Sequence, residues 1–402
     1  MGFAGLWESL LPLGRDPETG GYRRYSFTPA DAACRRWFEA AAAERGLPAG
    51  CDRNGNLFAR WQGPSGTALV IGSHLDSVPD GGAYDGALGV VSGFAAIDLL
   101  RARGFAPARP VVVAAFCEEE GARFGTACLG SRLLTGAADP EAARELRDAD
   151  GVTLAEAMNT AGLDPAGIGP DEDLLSGFGV FVELHIEQGS ALDGLGAAVG
   201  IAEGIWPHGR WRLEFTGRAD HAGTTRLADR RDPMLPYAAT VLAARQAAAG
   251  RGALATLGKV TAEPGGANAI SSLVRAWLDA RAPEEAALRG VVAEVEATAR
   301  RTAADHRVEF GIRQESFIPP VNFDRVLRAR VASVIGAHGK PAPVLATGAG
   351  HDAGVLAARL PTAMLFVRNP SGVSHSPAEH ATMADCEAGV AALATVIEEL
   401  AG

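Results

Sequence analysis

The chain has 402 residues with a formal net charge of −11, 47% hydrophobic and 21% charged. That length exceeds one comfortable core and suits two domains, and the balance is that of a globular protein. The acidic excess argues against a nucleic-acid partner, and no apolar stretch reaches the roughly 18–20 residues that span a bilayer, so no membrane partner is expected either.

The opening MGFAGLWESLLPLGRD has no basic start and no long apolar core, so no secretion signal is expected. Five cysteines (34, 51, 117, 128 and 386) are odd in number and form no CxxC, which points to a reduced, cytoplasmic location. Residues 5–13 and 29–46 read as helices, the second with Thr28 as N-cap and Pro29 in its first turn. Residues 67–72 form a short apolar strand that delivers His74. Residues 86–103 follow with helical periodicity through Leu88, Val91, Phe94, Ala95 and Leu99. PVVVAAFC (110–117) is continuously apolar, as a strand buried on both faces should be, and ends in Glu118, Glu119 and Glu120. Residues 177–184 end in His185 in the same manner. PTAMLFV (361–367) is another buried strand, and the loop after it carries His375.

The middle has a different texture. RWRLEFT (210–216) and LVRAWLD (273–279) alternate, as antiparallel strands with one wet face do, and residues 233–249 and 284–304 read as helices. The division expected is a first segment 1–205, an inserted α+β domain 206–320 and a returning segment 321–402, with Pro319-Pro320 at the return.

The chemistry-bearing residues therefore cluster where strands of an α/β sheet end, the usual place for an active site in that architecture. His74, Asp85, Glu120, His185 and His375 form a set suited to two divalent metals sharing one carboxylate. Any one of these histidines could be a structural core residue. The set is more telling, because three carboxylates directly after a buried strand need a counter-ion. Asp85 is the natural bridge, His74 and His375 serve one ion each, and Glu120 and His185 complete the ligands. Asp76 can orient the His74 imidazole, although a loop-capping role is the plainer alternative. Glu119, beside a ligand but not consumed as one, is the candidate general base. Glu118 has no role that the sequence supports.

In the inserted segment, His221 of ADHAGTT could donate to a developing oxyanion, or be an ordinary loop histidine. Arg281 could grip a substrate carboxylate with two bonds, or be a surface charge. GAGHDAG (348–354) lacks the spacing of either phosphate-binding glycine motif, and its small residues, Gly350 among them, suit close backbone approach to a ligand.

Taken together, GSHLDSV, GGAYDGALGV, FCEEEGARFG, ELHIEQG, ADHAGTT, GAGHDAG and GVSHSPAEH, in this order, resemble the amidohydrolase branch of the two-metal aminoacylase and carboxypeptidase clan. That branch includes allantoate amidohydrolases, N-carbamoyl-L-amino-acid hydrolases and β-ureidopropionases. The resemblance runs from about residue 5 to the end. It implies an α/β, two-domain, mixed-sheet metallohydrolase with an inserted lid, and a homodimer built through the lids. It also implies two divalent metals per subunit; the ligand set itself suits zinc or manganese first, with cobalt or nickel as alternatives. It places Gln188, His221, Asn268 and Arg281 at the substrate, with His221 reaching the partner subunit's site. Three stretches depart from the pattern: Arg226-Leu227 after HAGTT, Gly354 after GHDA, and the loose ANAISSL around Asn268. All three lie near the substrate motifs. The expected reaction is hydrolysis of the ureido carbon–nitrogen bond of a small carboxylate. Residues 14–24 and 367–372 favour allantoate, with an N-carbamoyl-L-amino acid as the alternative. A dipeptidase, or a silent binding protein that keeps the pocket, is the more distant reading.

Overall fold

A computed structural model of the chain describes residues 2–337 and 341–402. They form two compact units, one made of residues up to Glu203 together with Asn322 onward, the other of Gly204–Val321.

The first unit is built on a nine-stranded mixed sheet among the described residues. At its heart Val111–Phe116, Ala68–His74, Phe178–Ile186 and Thr362–Val367 run parallel in that spatial order. Leu57–Trp61 adds antiparallel on one side and Val199–Ile205 on the other. The three strands Ala68–His74, Val111–Phe116 and Thr362–Val367 are buried along their whole length. That is why they read as unbroken apolar runs instead of alternating ones. Helices Ala87–Ala102 and Met383–Ala401 pack together against this sheet. The first comes close because Gly89 faces it: a Cβ there would stand 2.2 Å from the Leu184 carbonyl oxygen. Helix Pro29–Glu44 begins as expected, with the Thr28 side chain accepting from the Asp31 amide and Pro29 in the first turn.

Strand boundaries shift slightly from expectation. His74 and His185 lie inside their strands, His74 as the last residue and His185 as the next to last, and are not in the loops beyond. Sheet hydrogen bonding therefore fixes the backbones of both.

The second unit is a four-stranded antiparallel sheet in the order Glu309–Ile318, His208–Thr216, Leu273–Arg281, Leu254–Glu263. The two alternating segments pair directly, Val274 opposite Phe215 and Leu278 opposite Trp211. Their inward residues Leu213, Phe215, Val274 and Leu278 meet Leu288, Val291 and Val295 of helix Glu285–Asp305 in one core. Leu254–Glu263 is an edge strand with most residues exposed. Beside it, helix Met234–Ala249 leaves Leu242 64% exposed. Among the described residues no helix is long and apolar enough to cross a membrane, and all five cysteines are free.

Candidate metal centre

Four loops or strand ends of the first unit meet around Asp85. The 77–84 loop before it is tied to the N-terminal segment, where Tyr22 donates its amide to the Gly81 carbonyl and Arg23 pairs with Asp80. Asp85 then sits just ahead of helix Ala87–Ala102. Its Oδ1 lies 3.1 Å from His185 Nε2 and 3.5 Å from His74 Nε2. Its Oδ2 lies 3.4 Å from His375 Nε2 and accepts from Gln188 Nε2 at 2.9 Å. Glu120 Oε2 is 3.7 Å from His375 Nε2. Among the described residues three groups have metal-ligand composition, with donor atoms of each lying within 4.8 Å of one another. One is Glu183–His185–His351; the two at Asp85 are His74–Asp85–His185 and Asp85–Glu120–His375. Asp85 belongs to both. The first group is fully buried, whereas the His375 side chain is 51% exposed.

The imidazole tautomers suit this arrangement. His185 Nδ1 lies 2.8 Å from the Ile186 carbonyl and His74 Nδ1 lies 3.1 Å from that of Asp76. A proton on each Nδ1 would donate to its carbonyl and leave each Nε2 on the cluster side, where His185 Nε2 also lies 3.3 Å from the Gly86 amide. His74 Nε2 and Glu120 Oε1 are buried with no hydrogen-bond partner. Unpartnered ligand atoms converging on shared carboxylates are what a divalent cation would satisfy, so the donor set fits a metal pair.

The electrostatics agree. Burial pushes the Glu119 carboxyl well above its ordinary range, against the pull of His74, and Asp352, Glu120 and Asp76 push it further. Burial and then Asp85 do the same to Glu120. Asp85 goes the other way: burial opposes ionisation, but the His185 and His74 imidazoles beside it hold its pKa well below the usual value. Acids this crowded stay ionised together only when positive charge is supplied.

Glu119 Oε2 stands 3.6 Å from His74 Nε2, yet Glu119 belongs to neither group. The thiol of Cys128 donates to its Oε1 at 3.5 Å. Asp76 holds this acidic loop in place: its Oδ1 accepts the Glu119 amide at 3.2 Å and its Oδ2 accepts the Glu120 amide at 3.1 Å. Its carboxylate is 3.5 Å from His74 Nδ1, beyond the Asp76 main-chain oxygen. Asp76 thus acts mainly on the acidic loop and only secondarily on the imidazole.

Several residues had no assigned role in the sequence. Glu118, at φ 54°, accepts the Arg123 and Phe124 amides and so folds the loop that follows. Burial, with Asp76 adding to it, raises its pKa to about 7. Glu379 accepts the Tyr84 and Asp85 amides. His351 is buried with both ring nitrogens unpartnered, its ring centroid 4.5 Å from that of His185. Glu379 and His351 lie inside SHSPAE and GAGHDAG, so the motifs were the available signal. Gly350 itself is exposed, ahead of the short helix Asp352–Leu356.

In the second unit, His221 and Asn268 come together: Ala269 pairs with His221, and the Asn268 carbonyl accepts the Ala222 amide. His221 Nδ1 accepts from the Gly223 amide at 3.0 Å, which leaves Nε2–H as an outward donor. Arg281 is elsewhere, at the far end of Leu273–Arg281, opposite His208, and bound to Asp279 by two bonds. At ~3.4 Å per residue that strand alone spans roughly 27 Å.

A family model for peptidase family M20/M25/M40 matches residues 70–399. The chain belongs to this family. It is 37% identical to an N-carbamoyl-L-amino acid amidohydrolase of Geobacillus stearothermophilus, with 98% of each chain covered. It is 33% identical to an allantoate amidohydrolase of Escherichia coli K12, covering 98% of this chain and 96% of the relative. Among solved structures, an amidase of the hydantoinase/carbamoylase family from Burkholderia vietnamiensis superposes with a TM-score of 0.88 at 31% identity, covering 99% of this chain and 97% of the other. The M20 frame and the two groups sharing Asp85 thus occur in one chain.

Proposed function

We propose that this M20 protein is a metal-dependent amidohydrolase that cleaves the ureido carbon–nitrogen bond of a small carboxylate substrate. The observation carrying this reading is one carboxylate, Asp85, common to two ligand groups, with Glu119 beside them and in neither. His74, Asp85 and His185 would hold one divalent ion, and Asp85, Glu120 and His375 the other, with zinc or manganese the first candidates. Bound there, the pair would supply a Lewis acid for the ureido carbonyl and an acidified water as nucleophile. Glu119 takes the proton of the attacking water, and the Cys128 thiol and the Asp76-held backbone keep its carboxylate aimed. The same carboxyl then returns the proton to the departing nitrogen. The carbamate released collapses to ammonia and carbon dioxide.

Substrate contacts extend the proposal along the resemblance to Gln188, His221, Asn268 and Arg281, and by the small residues of GAGHDAG to Gly350. The outward Nε2–H of His221 suits an oxyanion donor, and Arg281 suits a carboxylate. Because Arg281 lies at the end of Leu273–Arg281 far from the separate short strand pair that carries His221, the two suit one small molecule best when they come from two copies. This supports a homodimer formed through the second unit acting as lid, and the exposed edge strand Leu254–Glu263 beside Leu242 offers the apolar face for it. A reducing, cytoplasmic setting fits the five free cysteines.

Allantoate is the first substrate assignment, carried by residues 14–24 and 367–372. The second is an N-carbamoyl-L-amino acid, favoured by the Geobacillus relative. Purified protein reloaded with Mn²⁺ or Zn²⁺ should release ammonia from allantoate faster than from N-carbamoyl-L-amino acids. The reverse ranking selects the second assignment. Dipeptide cleavage in preference to both rejects the ureido reading, and failure to turn over any of these compounds would leave a binding protein.

A further inference from the structure

We propose that Glu379 is a positioning residue that sets the distance between His375 and Asp85, and so governs one ion site and not the other. The inference rests on the two-metal reading above. Glu379 is buried, and its carboxylate joins two loops far apart in sequence. Oε1 accepts the Tyr84 amide at 3.1 Å and the Asp85 amide at 2.9 Å, while Oε2 accepts the Ser374 hydroxyl at 3.1 Å. Its own amide donates to the Ser376 carbonyl, closing the turn that directly follows His375, whose φ is 54°. Room for the carboxylate depends on Gly82, where a Cβ would stand 2.4 Å from Oε1. No Lys or Arg pairs with Glu379 among the described residues, so its role here is that of a hydrogen-bond acceptor.

The two ligand groups differ in how they are anchored. His74 and His185 belong to sheet strands, and Asp85 is also held by the start of the following helix, where the Leu88 amide bonds the Tyr84 carbonyl. His375 lies in no strand or helix, and the Ser374–Glu379 bond fastens its turn to the Asp85 loop. Loss of the clasp should therefore release His375 and leave the buried group intact. A glutamine at 379 keeps an acceptor oxygen for the two amides, and the Ser374 hydroxyl can turn to accept from its NH₂. Glu379→Gln should then preserve what Glu379→Ala destroys.

The test is Mn²⁺ binding to metal-depleted protein, by equilibrium dialysis and by the electron paramagnetic resonance of the exchange-coupled pair. Wild type and Glu379→Gln should take two ions per chain and give the coupled signal. Glu379→Ala should keep one ion at unchanged affinity, bind the second at least ~10-fold more weakly and lose the coupled signal, in line with the effect of outer-sphere partners. Ser374→Ala, a milder change that decides the matter should Glu379→Ala fail to fold, should weaken the same single site to a smaller degree. Two unaltered sites in both Ala variants, equal weakening of both ions, or a Gln variant as defective as Ala would each overturn the inference. A wild type that never takes two ions overturns the two-metal reading itself, and this inference with it.

Discussion

Gly86 lies against the ring of His74, so close that a Cβ at position 86 would stand 2.4 Å from three of the ring atoms. Its φ of 66° also belongs to the region where side chains are strained. Gly86→Ala should therefore push the imidazole out of line. The expected result is a loss of roughly 1–3 kcal/mol in stability from overpacking and weakened metal binding, read by denaturant unfolding and metal content. Unchanged values in both would show that the loop gives way at little cost.

Glu119→Gln should separate chemistry from binding. The amide cannot accept a proton from water, so turnover should fall by about 10²–10⁴-fold. Metal content should stay at the wild-type level, since Glu119 lies outside both ligand groups. Retained turnover would assign the base elsewhere.

Asp76 carries two backbone amides on one carboxylate. Asp76→Ala should loosen Glu119 and Glu120 together, lowering metal affinity by about 10–100-fold and turnover with it. Asp76→Asn, which keeps one acceptor oxygen, should fall between. If affinity is unaltered in both, the acidic loop is held by the Glu118 and Cys128 bonds alone.

Chelation should cost stability as well as activity, because Asp85, Glu119 and Glu120 would then crowd one another without a cation. Restoring an ion at about a thousandfold over its Kd should add ~4 kcal/mol. Thermal unfolding with and without chelator reads this directly, and an unfolding midpoint indifferent to metal would count against the centre.

Mixed dimers test whether the site draws on two copies. His221→Ala and Arg281→Ala should each be nearly inactive alone. In the proposed homodimer, chains unfolded together and refolded should give half mixed dimers, each regaining one of its two sites, so about a quarter of wild-type activity should return. No recovery would mean that both side chains act from the same copy, or that one of them does not act on substrate.

The parallel core of the first unit was legible because strands buried on both faces show as apolar runs, and PVVVAAFC and PTAMLFV had no other comfortable place. His74 and His185 were legible because each ends such a run, and His375 because its SHSPAE loop follows one. Val199–Ile205 escaped notice since its glycines and Glu203 break the apolar signal, although it borders the central strands. Leu254–Glu263 escaped for the opposite reason: an edge strand exposed on most residues has no burial pattern to display. Glu379 and Glu118 were silent because their partners are backbone amides, and in the case of Glu379 these lie nearly 300 positions away. Sequence patterns report which side chains avoid water, not which amides they hold.

The Thr362–Val367 strand sits between Phe178–Ile186 and Val199–Ile205, although the ribosome makes it after the entire Gly204–Val321 unit. At the usual ~5–20 residues per second, the Phe178–Ile186 strand waits on the order of 10–30 s for its neighbour. During that interval its edge is a sticky, open seam, the kind of surface that chaperones cover and aggregates recruit. His375 emerges later still, so the Asp85–Glu120–His375 group is completed only after that strand has been made. A message truncated before that strand would yield a hazard to the cell's folding machinery, not a slow enzyme.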